Sequence, residues 1–516
     1  MASLPINTCG QYGIIRDVFP HELPDGAWSE GKNVRFVNGY AEQMKGHLPV
    51  YGASSIEPYF LLPYSTSGAR NWIYAGANKA YSVTVDVHTN ITRQSGGVDV
   101  NYTATADNVW SGTDLSGIAI FNNGTDAPQQ WPGTGRAANL SNWPSGYSCK
   151  ALRSYKYCGI AMNLTISGNN YPHRVLYSQP AEPGSVPSSW DIGDDTKDAG
   201  EFDLSKTDGR LIDGAVMGDS FYLYKESSIY RMSYVGGGAI FNISDPITEE
   251  AGALALNCIA SFPGGHVVLG QGDIFVFNGA QAESIIDARM RRWLQTSLDA
   301  TYFNRSFLTT NPTKNEIWVC LPLVGYDLPN IALIWNYKTN TWTFRDLPSI
   351  HYAASGVIDT IVTNSIDSRA NIIDSYTDPI DYNEYTQSSK RLVMADDASE
   401  MFLADASRQF DGMNYTSYIA RTGMDFGNSN RFKFVSSIRP MFDGGTNNVI
   451  QIYVGGANDL TTAITWSEPF NFTIGQDFEA TFEQEWRYIA IKFETTVQTY
   501  WRLKSMVIEY EFTGMY

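Results

Sequence analysis

The stretch Gly270-Gln271-Gly272-Asp273-Ile274-Phe275-Val276-Phe277-Asn278-Gly279 sets the tightest limit on what this chain can become. An apolar aromatic and β-branched run lies between glycines at one end and Asn-Gly at the other. That is the pattern of a strand closed by tight turns, because glycine and asparagine tolerate the positive φ that such turns demand. Looser versions recur along the first three quarters of the sequence. Trp72 to Val85 folds back at Gly76-Ala77-Asn78-Lys79, and Gly117 to Phe121 ends on Asn122-Asn123-Gly124. Tyr157 to Thr165 turns at Gly168-Asn169-Asn170 into Arg174 to Ser178, and Ser220 to Lys225 returns as Ser228 to Tyr234. Asn315 to Pro322 pairs with Ile331 to Tyr337, and the unit closes on Thr341-Trp342-Thr343-Phe344.

A chain punctuated in this way is a series of small antiparallel sheets. The spacing is too irregular for a Trp-Asp or kelch array, yet irregular propeller blades have this form. The expected fold class is therefore all-β: an irregular β-propeller of about five to seven blades with a C-terminal β-sandwich. Unrelated hairpins in a sandwich or solenoid are the alternative. The composition agrees, with 45 Gly, 31 Tyr and 13 Trp but only 17% charged residues, since aromatic residues suit a half-buried pleated surface.

Three regions follow. Residues 1–54 form an N-terminal arm and a hairpin, the latter from Asn33 to Met44 around Asn38-Gly39. Residues 55–411 form the propeller, with 371–411 as its last blade and linker. Residues 412–516 carry cleaner alternation, in Phe432 to Pro440, Val449 to Val454, Phe478 to Phe482, Arg487 to Phe493 and Trp501 to Phe512, and form the sandwich. One helix is predicted from Ser284 to Leu294, with Ile286, Met290, Trp293 and Leu294 on one face and Ser284 with Asp287 as a capping box.

The formal charge is −18 with no run of Lys and Arg, which excludes a DNA reader that needs a basic face. Five scattered cysteines lack any Cys-x-x-Cys pair and read as buried free thiols. The N-terminus lacks the charged and apolar regions of a signal peptide, so a protein made in a reducing cytosol is expected. No run is long enough for a membrane span. The six histidines show no paired ligand spacing, and His266 reads as a satisfied turn residue. No Gly-x-Ser-x-Gly elbow and no phosphate-binding loop occurs. Asp191, Asp194, Asp195 and Asp198 share a loop whose spacing does not match an EF-hand, and they read as a solvated acidic loop. No catalytic set, cofactor or metal is predicted.

Several stretches together resemble one family. Asn33-Val34-Arg35-Phe36 through Gly39-Tyr40-Ala41-Glu42 resembles the N-terminal hairpin of tail proteins from short-tailed bacteriophages. Ile120 to Trp131 is similar to one of their blade elements, and Val175 to Pro180 with Pro187 to Asp191 to another. Trp335 to Pro348 and the ending Trp501 to Tyr516 complete the likeness. The family is the tail nozzle proteins, also called tail tubular protein B or packaged-DNA stabilisation proteins. The resemblance implies a structural virion protein without enzymatic activity, assembled in the host cytoplasm as a hexameric ring in the phage tail. The ring would sit below the portal and a dodecameric head-to-tail adaptor, hold tail fibres or tailspikes, pass double-stranded DNA without sequence preference, and gate its release. Part of the negative charge is then expected to face the DNA channel. The loop tips Gly236-Gly237-Gly238 and Tyr326-Asp327 are candidate lumen or interface loops. Arg289, Arg291 and Arg292 on the predicted helix are a candidate subunit interface, with a solvated helix face as the alternative. A carbohydrate-binding or carbohydrate-cleaving propeller of a receptor-binding tail protein, or a propeller hub for protein partners, are the competing readings.

Overall fold

Each hairpin unit of the sequence becomes part of a four-stranded antiparallel sheet, and seven such sheets follow one another around an axis. A computed structural model describes residues 2–66, 70–107, 109–237, 240–358, 390–497 and 499–515. Blades 1 to 6 span residues 60–90, 111–139, 147–203, 211–243, 259–284 and 307–346. Blade 7 combines Ile350–Gly356, Arg391–Asp396 and Met401–Ala404 with an outer strand, His47–Pro49, taken from near the N-terminus. The first strand of each blade packs against the first strand of the next, and Ile350–Gly356 against Phe60–Ser65, so the ring is closed. The fold is a seven-bladed β-propeller.

Central strands are buried on both sides because each blade lies between two others. Glu316–Leu321 and Ile331–Asn336 in blade 6 are buried throughout, which explains the apolar runs 317–321 and 331–335 within them. The Gly270–Gly279 stretch forms the turn and third strand of blade 5, between Gly265–Leu269 and Ala282–Ser284. Gly272 and Gly279 hold φ of 72° and 97°, as the turn reading requires. Antiparallel order sends alternate turns to opposite faces. The upper face carries the second-to-third turns and the connections between blades, and the lower face carries the other hairpins.

The sandwich has two six-stranded sheets. Its long strands, Arg431–Gly444 and Trp501–Met515, pair along most of their length. Ala2–Ile6, Val34–Val37 and Tyr40–Gln43 join one sheet, and Glu30–Lys32 joins the other. Residues 1–54 are thus not a separate unit. They supply four sandwich strands and the closing strand of blade 7, because the apolar sides of these strands find burial only against the C-terminal sheets. The expected hairpin is present, with Asn38 and Gly39 both at positive φ, 51° and 82°. Much of 371–411, expected as last blade and linker, lies outside the described residues.

The sandwich docks along the outer strand of blade 6, Thr341–Asp346. Asn33 donates its backbone N–H to Phe344 O at 2.8 Å and its side-chain amide to Asp346 at 3.0 Å. Beside it, Arg35 donates Nε to Glu316 Oε1 at 2.5 Å and Nη2 to Asp405 Oδ2 at 2.9 Å. Arg345 bonds the other Asp405 oxygen at 3.2 Å. All four side chains are buried, and the formal charges cancel. Within the sandwich, Glu42 pairs with Arg502 at 2.9 Å across neighbouring strands.

The helix differs from expectation. Its observed span is Arg291–Ser297, and Ser284 caps nothing. Ser284 ends the outer strand of blade 5 and donates its hydroxyl to Asp273 at 2.7 Å. Ala288 sits at φ 53°, which a continuous helix cannot contain. Ile286, Met290 and Leu294 are still buried; the apolar spacing reports burial of a turn followed by a short helix. His266 lies inside a strand, its ring held between Tyr224 Oη at 2.8 Å and Val216 O at 3.0 Å. All five cysteines are free and buried.

Candidate functional site

The inner strands leave two cavities along the propeller axis. The lower one, about 250 Å³, is bounded by Arg153, Asp213, Asn257, Leu308 and Tyr352 among others. Arg153 comes from the first strand of blade 3 and Asp213 from the first strand of blade 4, where the register shifts between Leu211 and Asp213. Their pairing is bidentate, Nε to Oδ1 at 2.8 Å and Nη2 to Oδ2 at 2.7 Å. Arg153 also donates to Asn257 Oδ1 at 2.7 Å and Gly112 O at 3.1 Å. Asp213 accepts further bonds from the backbone N–H groups of Gly214 and Asn257. Asn257 completes the node by donating its amide to Trp110 O at 3.0 Å. Burial alone would lower the Arg153 pKa, but the Asp213 carboxylate raises it on balance. The Tyr352 phenol is pushed up to about 12, chiefly by burial. Its ring packs 5.2 Å from Phe60 and 4.9 Å from Phe307.

The upper cavity, about 380 Å³, has the size of a small-molecule site. Leu211 and Ile212 line it, whereas the next residues, Asp213 to Val216, line the lower one. Leu256 and Asn257 divide in the same way. The Arg153–Asp213–Asn257 node is therefore the partition that closes the axis between the two spaces. The upper walls mix apolar surface from Leu254 and Phe303 with Lys150, Asn163, Asn170 and Asn304. Lys150 gives one bond, to Gly124 O at 3.3 Å. Asn163 is satisfied by Leu211 O and by the Asn170 amide. Asn304, in the 3-10 turn Phe303–Arg305, has a buried amide oxygen without a partner. No sandwich residue lines either cavity.

The candidate loops are not brought together. Gly236 and Gly237, at φ 70° and 97°, form a hairpin tip of blade 4 on the lower face; Gly238 lies outside the described residues. Tyr326 and Asp327 lie in a second-to-third turn of blade 6, on the upper face, with Tyr326 52% exposed. The Arg291–Ser297 helix shares that face and touches the turn, since Val324 N–H donates to Ser297 O at 2.9 Å. Arg305 links Asp327 to the cavity rim through its ion pair with Asp107 at 2.8 Å. Of the three arginines, Arg289 donates to Asn340 O and Arg291 pairs with Asp273. Arg292 is exposed and offers its backbone N–H to Asp17. Asp191 and Asp194 make only local turn bonds. Among the described residues, no group of three or more His, Cys, Asp or Glu is placed to hold a metal, and no helix is long and apolar enough to cross a membrane.

Sequence reasoning did not find the axial residues. Arg153, Asp213 and Asn257 come from different blades, and nothing local marks them as neighbours. Lys150, the one charge in Ser148 to Leu152, was the available signal.

No protein-family model matches this chain, and no curated protein matches it. Among solved structures it is similar to the WD40 β-propeller domain of Doa1, at 7% identity and a TM-score of 0.37, covering 70% of this chain and 96% of that one. It is similar to BamB from Moraxella catarrhalis at 7% identity and 0.36, covering 78% and 96%. The β-propeller domain of Myceliophteria thermophila Cps50 (Swd1) gives 6% identity and 0.39, covering 71% and 99%.

Proposed function

We propose that this protein is a structural wall subunit of a ring, the tail nozzle of a short-tailed bacteriophage, with no catalytic role. The observation that carries the reading is the propeller–sandwich joint. Stretches that resemble the nozzle family lie far apart in the sequence, yet they meet there. Asn33 and Arg35 come from the first, and Arg345 and Asp346 from the fourth. A buried, charge-balanced joint resists relative motion of two modules, because parting them would leave desolvated charges unpaired. A segment of a conduit wall needs that rigidity. The propeller supports the same role, since radial repetition of its blades leaves only short, protected sheet edges.

On this reading DNA passes between subunits around the ring axis and not along the propeller axis, which the Arg153 node blocks. The acidic surface lowers affinity for phosphates and lets the duplex slide. Val324 and Tyr326, 62% and 52% exposed, are contact points toward a neighbouring subunit. The test is sedimentation and electron microscopy of the full chain at rising concentration, alone and mixed with a dodecameric adaptor. Six-fold rings coaxial with the adaptor are expected. A chain that stays monomeric throughout and never joins the adaptor overturns the proposal.

A further inference from the structure

The two axial cavities differ in how their polar groups are used. In the lower one, Arg153, Asp213 and Asn257 satisfy one another. In the upper one, three groups keep unused capacity among the described residues. Lys150 has no carboxylate partner and spends one N–H on Gly124 O. Asn170 uses its amide nitrogen but not its oxygen. Asn304 keeps a buried amide oxygen with no donor. A buried acceptor left open costs free energy unless a donor reaches it.

We infer that the upper axial cavity is a binding site for an acidic sugar residue, a ligand with one carboxylate and several hydroxyls. The carboxylate takes the Lys150 ammonium as a charge-assisted bond. Hydroxyl groups donate to Asn304 and Asn170, which are acceptors a bare anion could not serve. The face of the pyranose lies on the apolar wall formed by Leu254 and Phe303. The site is open at the upper face and closed below by the Arg153 node, so a single residue, free or at the end of a chain, enters from one side. Arg210 and Asp107 stand at the same rim but are already paired, with Glu226 and with Arg305, each at 2.8 Å, which leaves Lys150 as the charge that selects.

Titration calorimetry and saturation-transfer NMR on the full chain test this, with glucuronate, glucose and inorganic phosphate as probes. Saturable binding of glucuronate is expected, with glucose and phosphate each weaker by about ten-fold or more. Lys150→Met retains the stem and should weaken glucuronate by about ten-fold while leaving glucose unchanged. Asn304→Leu should weaken both sugars and leave phosphate alone. An unchanged melting midpoint in Lys150→Met, whose side chain is exposed, shows that the fold is intact. Phosphate that competes equally well, glucose that binds as tightly as glucuronate, or no saturable glucuronate signal at tens of millimolar overturns the inference.

Discussion

Replacing Arg35 by Met removes the cation on which the propeller–sandwich joint turns. In the parent protein Arg35 makes three charge-assisted bonds, two to Glu316 and one to Asp405. Asp405 keeps Arg345 at 3.2 Å and the Asn311 amide at 3.0 Å when Arg35 is lost. Among the described residues Glu316 keeps the Trp318 indole N–H, at 3.1 Å, and the charge of Arg345, which it must now share with Asp405, so two buried carboxylates face one cation. Breaking a buried pair in this way costs about 3–5 kcal/mol. At roughly 2.1 cal/mol/K per residue the unfolding entropy of a chain this long is on the order of 1 kcal/mol/K, so the melting midpoint should fall by about 3–5 °C. Scanning calorimetry reads this directly, and a second, earlier transition would mark the sandwich parting from the propeller. Adding Glu316→Gln removes the excess charge while keeping an acceptor for Trp318, and should recover about half of the loss. Acid adds a second readout. Burial alone would raise the Asp405 pKa, but the charges of Arg35 and Arg345 hold it at about 2, below its ordinary 3.8. Its contribution is therefore present above 3.8 and lost as pH falls toward 2. Without Arg35 the gap narrows, and the variant should be less resistant to acid than its parent. A single variant that melts within about 1 °C of the parent would refute the claim that this cluster is desolvated and holds the modules together.

Two further outcomes follow from named groups. Arg153→Met should cost about 3–5 kcal/mol in urea unfolding, because Asp213 loses the one cation paired with it among the described residues, whereas Arg153→Met with Asp213→Asn should lose clearly less. His47 is buried between Phe402 and Phe410, with burial first and the Arg345 charge second lowering its pKa from 6.5 to about 3. The unfolded chain therefore binds a proton that the folded one refuses between those values, so stability falls as pH drops below 6.5. Between pH 7 and pH 5 the loss from this residue is about 2 kcal/mol, and His47→Phe should abolish that part of the pH dependence in denaturant titrations.

Strands were legible where one residue run decided its own fate. Ile274 to Phe277 is apolar, flanked by residues that turn, and forms a strand wherever it lies. The Asn38-Gly39 hairpin followed for the same reason. What local pattern could not reveal is partnership across hundreds of residues. His47–Pro49 reads as part of an arm, but it pairs with Phe402–Ala404. Glu30–Lys32 pairs with Tyr418 to Ala420. The helix was misplaced because Ile286, Met290 and Leu294 are buried at helical spacing even though the backbone reverses at Ala288. The axial site was invisible because Lys150, Asn170 and Asn304 belong to separate strands and turns, and only ring closure sets them around one cavity.

Closure of blade 7 by His47–Pro49 also sets a clock on biosynthesis. That strand leaves the ribosome long before Met401–Ala404, and at 5–20 residues per second the delay is about 20–70 s. During it the four early sandwich strands wait as well, with backbone donors and acceptors open to any passing edge. The first tens of residues of this chain are thus open to mispairing while it is being made and are paired within sheets afterwards. A chaperone that shields nascent strands would act on them in that interval, and completion of the propeller is the event that releases it.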